Sequence, residues 1–259
     1  MSIYFAYFIQ FFKENTRHKF KLFIVAFSQT IAPLVTMLVL TSFVSLPGVL
    51  TSGNSLVSYF IVTSFLYIVM YSRVDDYIAK RCILDGALAV FLTKPLKFWL
   101  VVLMNDLAFR VIKIAIALPL ILVLTFIYKD TFAFTIIGSP LLVVIAFMLT
   151  FWLSFLIALS VGFLAFFIEE VWGFQHLKEV TLILLSGVVL PYDFFPDVLQ
   201  RVLVFTPFPY LVNWPFRLGF SGSYLFEFLC AGVWLVVFAL LVRVMWLKGM
   251  RRYSGMGAY

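Results

Sequence analysis

Charge is scarce in this chain: 12% of the residues are Asp, Glu, Lys or Arg, against about 25% in soluble domains. Histidine and cysteine are scarcer still, with two of each, His18, His176, Cys82 and Cys230. Two cysteines make no disulfide framework, and C-x-x-C is absent. So few soft or imidazole ligands exclude a zinc or haem cluster, and no metal site is expected. Walker A, G-x-S-x-G and H-E-x-x-H patterns are absent too. No catalytic residue is therefore assigned, and the chain is expected not to be an enzyme. The first twelve residues lack the small-residue site of a cleavable signal.

Apolar residues fill the space that charge leaves. They make up 64% of 259 residues, with a mean hydropathy of +1.10, against about 45–50% apolar in a soluble domain. That excludes a water-soluble globule, a disordered chain and a nucleic-acid-binding domain. The net charge of +7 does not point to nucleic acid, because basic residues of membrane proteins gather on the cytoplasmic side.

A spanning helix needs about 20 apolar residues. No charge occurs from Leu22 to Ser72. That run is too long for one span and is interrupted by Pro47-Gly48 and Gly53-Asn54, so it reads as two, 22–44 and 56–72. The third helix begins near Phe98 but carries Asn105, Asp106, Arg110 and Lys113; its span is 107–128, purely apolar over 114–128. The fourth is 141–167, ended by Glu169-Glu170, and the sixth is 224–247. The fifth is harder to place. Residues 180–192 are uncharged but cover only about 20 Å as helix. A span of 174–190 requires Lys178 and Glu179 to reach for the interface; the alternative is a re-entrant dip.

Charge sets orientation. Lys13, Arg17, Lys19 and Lys21 precede span one, and Arg73, Lys80, Arg81, Lys94 and Lys97 separate spans two and three. Lys178 and the terminal Arg243, Lys248, Arg251 and Arg252 complete 14 of the 19 basic residues on one side. Only Lys129, Arg201 and Arg217 fall opposite. The positive-inside rule puts both termini in the cytoplasm and makes the number of crossings even. The expectation is an all-α polytopic protein with six spans, multi-pass in the inner (plasma) membrane.

Two regions are not plain spans. Residues 1–20 begin aromatic and end basic, which suits a helix lying in the inner interface or an extension of span one. Residues 191–222 carry five prolines between Pro191 and Pro215, and a continuous membrane helix does not tolerate them. This stretch is expected at the outer face as a short helical hairpin before the last span. Asp197 would cap its helix. Val198, Val202 and Phe205 would rest on protein. Its aromatic residues also suit a simple headgroup belt.

The connection 73–97 is the longest charged one. Asp85-Gly86 reads as a helix start, Leu84, Leu88, Phe91 and Leu92 form one stripe, and Lys94-Pro95 ends the helix. Such a stripe needs a partner, membrane or protein; the blander alternative is a solvated helix with an Asp76–Lys80 surface pair. Asp106, Arg110 and Lys113 share one face of span three. They form either a polar face at membrane depth or a pair at the cytoplasmic water line, and the nearby Lys94 and Lys97 favour the water line.

Two segments carry a family resemblance: ILDGALAVFLTKPLKFW (83–99) and SGVVLPYDFFPDVLQRVLVFTPFPYLVNWP (186–215). Gly86, Leu88, Leu92, Lys94, Pro95 and Leu96 fill the first pattern. Gly187, Pro191, Phe195-Pro196 and Pro207-Phe208 fill the second. Together with the basic amphipathic N-terminus they resemble the permease subunits of bacterial ABC exporters of the six-span, second export class, in the branch of uncharacterised permeases. The polar stretch 175–179 departs from that pattern.

The resemblance implies a half-transporter. A second permease subunit, copy or paralogue, would share the translocation path within the lipid. Separate ABC ATPase subunits would bind ATP and Mg, leaving no cofactor in this chain. ATPase coupling would run through Arg81, Asp85, Gly86, Leu88, Leu92, Lys94 and Pro95, and Gly187, Pro191, Phe195, Pro196, Pro207 and Phe208 would form an outer gate. The competing expectation is a secondary transporter driven by an ion gradient, for which Asp106 is the candidate carboxylate.

Reporter fusions after Gly222 and after Tyr259 are expected to read outside and inside. Both on one side would contradict the six-span model.

Overall fold

A computed structural model describes residues 3–17, 53–129, 140–217 and 225–253, with isolated positions between 20 and 39. The first expected span, 22–44, thus lies largely outside the described residues, as do 218–222 of the proline-rich segment.

Every regular element among the described residues is helical. They are α1 (Ile3–Thr16), α2 (Gly53–Met70), α3 (residues 74–84), α4 (Ala87–Leu92), α5 (Phe98–Ile127) and α6 (Pro140–Phe163). Then come α7 (Trp172–Leu185), α8 (Asp197–Leu203), α9 (Asn213–Arg217) and α10 (Leu225–Arg252). Four stretches among the described residues are long and apolar enough to cross a membrane: Val57–Leu84, Phe98–Ile127, Leu141–Phe166 and Leu225–Arg252. The chain is an all-α polytopic membrane protein.

α6 occupies the middle. α2, the start of α3, α7, α9 and α10 all pack on it, while α5 lies against α2 and carries α1 on its other flank. Close approach at α6 depends on Gly162. A Cβ there would stand 3.0 Å from Ile78 Cβ and 3.1 Å from Asp75 Cα, so the backbones of α6 and α3 meet where only hydrogen fits. Outward faces are apolar, as in Leu122 and Phe126 of α5 and Val233 and Leu240 of α10. In hydrocarbon such faces need no further partner.

α5 begins at Phe98, where the sequence places the start of that helix, and its 30 residues give about 45 Å. Two elements differ from the sequence expectation. α7 ends at Leu185, short of residue 190, and its 14 residues span about 21 Å, less than a hydrocarbon core. The chain after Ser72, expected as a charged loop from residue 73, instead resumes as the well-packed helix α3. Most of α3 is wound as a π-helix, so Asp85 N–H bonds back five residues to the Lys80 carbonyl at 2.8 Å.

α1 lies along α5. Phe11 is buried against Val101 and Ala108. Glu14 accepts from Arg81, which fastens α1 to α3.

Gly162→Leu is expected to separate α6 from α3 and lower stability by about 1–3 kcal/mol, the usual range for overpacking. Thermal unfolding in detergent measures it; an unchanged midpoint would refute the close approach.

Candidate functional site

Three groups of residues stand out, one at each end of the bundle and one between. At the α4 end, Gly86 enters the left-handed region at φ +76° and turns the chain from α3 into α4. Leu88 is fully buried among Ile83, Phe98 and Val102. Phe98 in turn stacks on Trp246 of α10 at 5.2 Å, and the Tyr253 hydroxyl donates to the Gly86 carbonyl at 3.3 Å. α4 is therefore mounted on α5 and α10 through its Leu88 side. The opposite side is bare: Val90 is 54% and Leu92 46% exposed, and Ala89, Thr93, Lys94 and Pro95 continue that surface. Asp85 and Arg81 are exposed beside it.

This corrects the expectation for Leu88. It is a core residue and cannot face a partner, so the outward stripe runs through Val90 and Leu92. The Asp76–Lys80 ion pair is present at 2.8 Å between exposed side chains.

The middle group is the interruption between α2 and α3. Helical hydrogen bonding stops at Met70, and the carbonyls of residues 69–72 lose their usual donors one turn on. Cationic side chains replace those donors. Arg110 Nη1 donates to the Val69 carbonyl at 2.9 Å and the Met70 carbonyl at 2.7 Å. Lys113 Nζ donates to the Tyr71 carbonyl at 2.7 Å, and Lys178 Nζ to the Ser72 carbonyl at 3.1 Å. Positive charge at the end of α2 also suits the negative pole of its helix dipole.

Two carboxylates complete the group. Asp106 Oδ2 accepts from Arg110 Nε at 2.7 Å, and its Oδ1 from the Ser72 hydroxyl at 2.7 Å. Asp75 Oδ1 accepts from Lys178 at 2.8 Å. Arg110 Nη2 reaches Ser154 Oγ at 3.0 Å, and the Arg110 guanidinium lies 4.5 Å from the centre of the Phe151 ring. Lys113 Nζ sits 5.1 Å from the Tyr71 ring centre and 5.2 Å from that of Phe109. All five charged side chains are buried, Lys113 to within 1%.

The expected Asp106–Arg110 pair is present, but it and Lys113 are buried in the protein rather than exposed. They point inward because the interrupted helix supplies acceptors there. Lys178 is likewise buried and does not reach for the interface. The sequence reading missed Ser72, Asp75, Ser154 and the role of Lys178. A signal was available: two cations on one helix face with a single carboxylate in reach must find other acceptors, and free carbonyls come only from a non-helical stretch.

The third group is the proline-rich end. Gly187 adopts φ +87°, and its carbonyl accepts from the Tyr59 hydroxyl of α2. A Cβ at Gly187 would lie 2.9 Å from that hydroxyl oxygen. Asn213 N–H donates to the Ser186 carbonyl at 3.1 Å, and Thr150 Oγ1 of α6 to the Tyr210 carbonyl at 2.7 Å. Tyr192 donates to the Leu185 carbonyl at 2.7 Å. Burial pushes its phenol above the ordinary range, so the hydroxyl keeps its proton. Pro191 and Pro207 are buried. Phe195 stands edge-on to Tyr192 at 5.6 Å, and Phe208 packs against the cluster containing Tyr210 and Trp214.

α8 departs from expectation in two respects. Pro196 flanks its start and Asp197 is its first residue, with no side-chain cap; the carboxylate acts only through the helix dipole. Leu203 faces the protein, whereas Val198 is 72% exposed and Val202 and Phe205 are exposed as well. Proline at 196 fixes the entry angle and turns that apolar stripe outward. Among the described residues no His, Cys, Asp and Glu cluster could hold a metal ion.

Removing Arg110 would leave Asp106 buried and two carbonyls bare. Arg110→Met is therefore expected to lower stability by about 3–5 kcal/mol, the usual result of breaking a buried pair from one side. Arg110→Lys should rescue it only in part, since one ammonium cannot reproduce the fork. Unfolding midpoints measure both; an unaltered Arg110→Met protein would contradict the geometry.

The chain matches the sequence profile described as ABC-2 family transporter protein over residues 29–257. No curated protein matches it. With that profile running through the interrupted helix, α4 and the proline-rich end, the chain belongs to the ABC-2 transporter family and is an ABC transporter permease of the membrane.

Proposed function

We propose that this permease is the membrane half of an ATP-driven exporter and that a separate ABC ATPase docks on α4. The observation that carries the reading is the two-sidedness of α4: Leu88 is locked into the core while Val90 and Leu92 stand bare beside Lys94 and Pro95. A rigidly mounted apolar ridge suits transmission of force. The α4 end is then cytoplasmic, as the basic residues favour, and α1 lies in the inner interface. ATP and Mg belong to the ATPase. A second permease subunit, copy or paralogue, shares the path, and residues 187–217 cap its outer end with Phe195 and Phe208 near the exit.

An ion-driven carrier is the competing reading, because a broken helix beside buried carboxylates is a feature such carriers use. Here Asp106 is already engaged by Arg110 and Asp75 by Lys178, so both carboxylates beside the break are occupied. Family membership favours ATP.

Val90→Asp and Leu92→Asp are expected to abolish co-purification of the ATPase with unchanged unfolding midpoints. Leu88→Asp should instead collapse stability, since it buries an unpaired charge. ATPase retained by both surface variants would refute docking on α4.

A further inference from the structure

α7 is held in an unusual way. Of its 14 residues only Lys178 and Leu182 are buried, while Trp172, Phe174, Leu177, Val180 and Leu184 are exposed. Val171, at its head, is buried in the apolar core with Ile78 and Phe163, and within the helix the half nearer α4 is anchored by an ammonium group. Lys178 Nζ spans to Asp75 Oδ1 at 2.8 Å and to the Ser72 carbonyl at 3.1 Å, and lies 5.0 Å from the Tyr71 ring centre. The other end of α7 is fixed by backbone: the Ser186 carbonyl is bonded by Asn213 N–H and the Gly187 carbonyl by Tyr59.

We propose that Lys178 and Asp75 form a releasable latch, closed in the state described here and open in another state of the transport cycle, with the Lys178 face of α7 rolling away from α3 between ends fixed at Val171 and Ser186–Gly187. The proposal rests on the permease reading above. An apolar anchor loses free energy in proportion to the area it exposes. An ion pair instead regains hydration on both partners when it parts, so its net hold is small even though stranding one partner is costly. Closed and open states can therefore lie close in free energy.

The other cations of the joint are differently placed. Arg110 is bound to Asp106 one turn away on its own helix, and Lys113 is on that helix too. Both stay with α5 when α7 moves. Asp75 sits in α3, which leads through Gly86 directly into α4. A displacement of α4 thus reaches the latch along one short helix of 11 residues. Lys178 and Asp75 are positioning residues, not cargo ligands.

The test uses paired spin labels at Leu177 on α7 and Val111 on α5, both exposed. Cys82 and Cys230 are replaced by alanine, and the permease is in a lipid nanodisc. Distances are read by double electron–electron resonance. The parent should show two populations. Asp75→Leu with Lys178→Met substitutes an apolar contact for the ion pair and should leave only the closed one. Lys178→Met alone strands Asp75 and should leave the open one, moving the population ratio by about tenfold or more. Lys178→Arg retains the pair and should resemble the parent. If Lys178→Met does not fold, the double variant and Lys178→Arg decide the matter. One distance population in the parent, or the same distribution in the parent and the double variant, overturns the latch. Adding the ATPase with ATP should redistribute the parent's populations. Populations that respond to the substitutions but not to ATP would uphold the latch and count against the ATP-driven reading.

Discussion

A membrane helix that stops hydrogen-bonding to itself must have its carbonyls met by something else. In this permease Arg110, Lys113 and Lys178 meet them, donating to the carbonyls of Val69, Met70, Tyr71 and Ser72. Much of the arrangement depends on that substitution. The cations draw in Asp106 and Asp75 as counter-charges. α5 must be long enough to carry Arg110 and Lys113 at the depth of the break. α7, too short to cross unaided, is attached at the same point through Lys178.

The break also divides the molecule mechanically. On one side α2 continues towards Tyr59 and the proline-rich end; on the other α3 leads into α4. An unbroken helix would transmit any movement of α4 straight to Tyr59. A joint held by side chains allows the two ends to be related without being rigidly one. Side-chain bonds from separate helices can be exchanged for water one at a time, whereas a helical ladder yields as a cooperative unit. The Gly162 contact seats α3 against α6. The exposed faces of α5 and α10 are apolar, as contact with lipid requires.

The class of this protein and both of its end segments were legible from sequence. Long uncharged runs identify membrane helices by length alone, and Gly86 with Lys94-Pro95 bracket α4 because left-handed turns and prolines are local signals. The proline spacing likewise located the irregular end around 191–215. Depth was not legible. Asp106, Arg110 and Lys113 look like a water-line group because Lys94 and Lys97 lie nearby, and only the free carbonyls of the break after Met70 draw them into the protein. Lys178 looks like an interfacial residue until Asp75, 103 positions away, is brought against it. Such pairs depend on tertiary placement, which periodicity does not encode. The outward turn of Val198 and Val202 was missed for a similar reason: a two-turn helix has two apolar faces, and Pro196 chose between them.

The most direct test of this account is a density map of the permease in a lipid bilayer at side-chain resolution. The account predicts a non-helical Tyr71–Arg73 with the Arg110 guanidinium on the Val69 and Met70 carbonyls and the Lys113 amine on that of Tyr71. A continuous helix through residues 69–76, with Arg110 and Lys113 turned to water or headgroups, would contradict it.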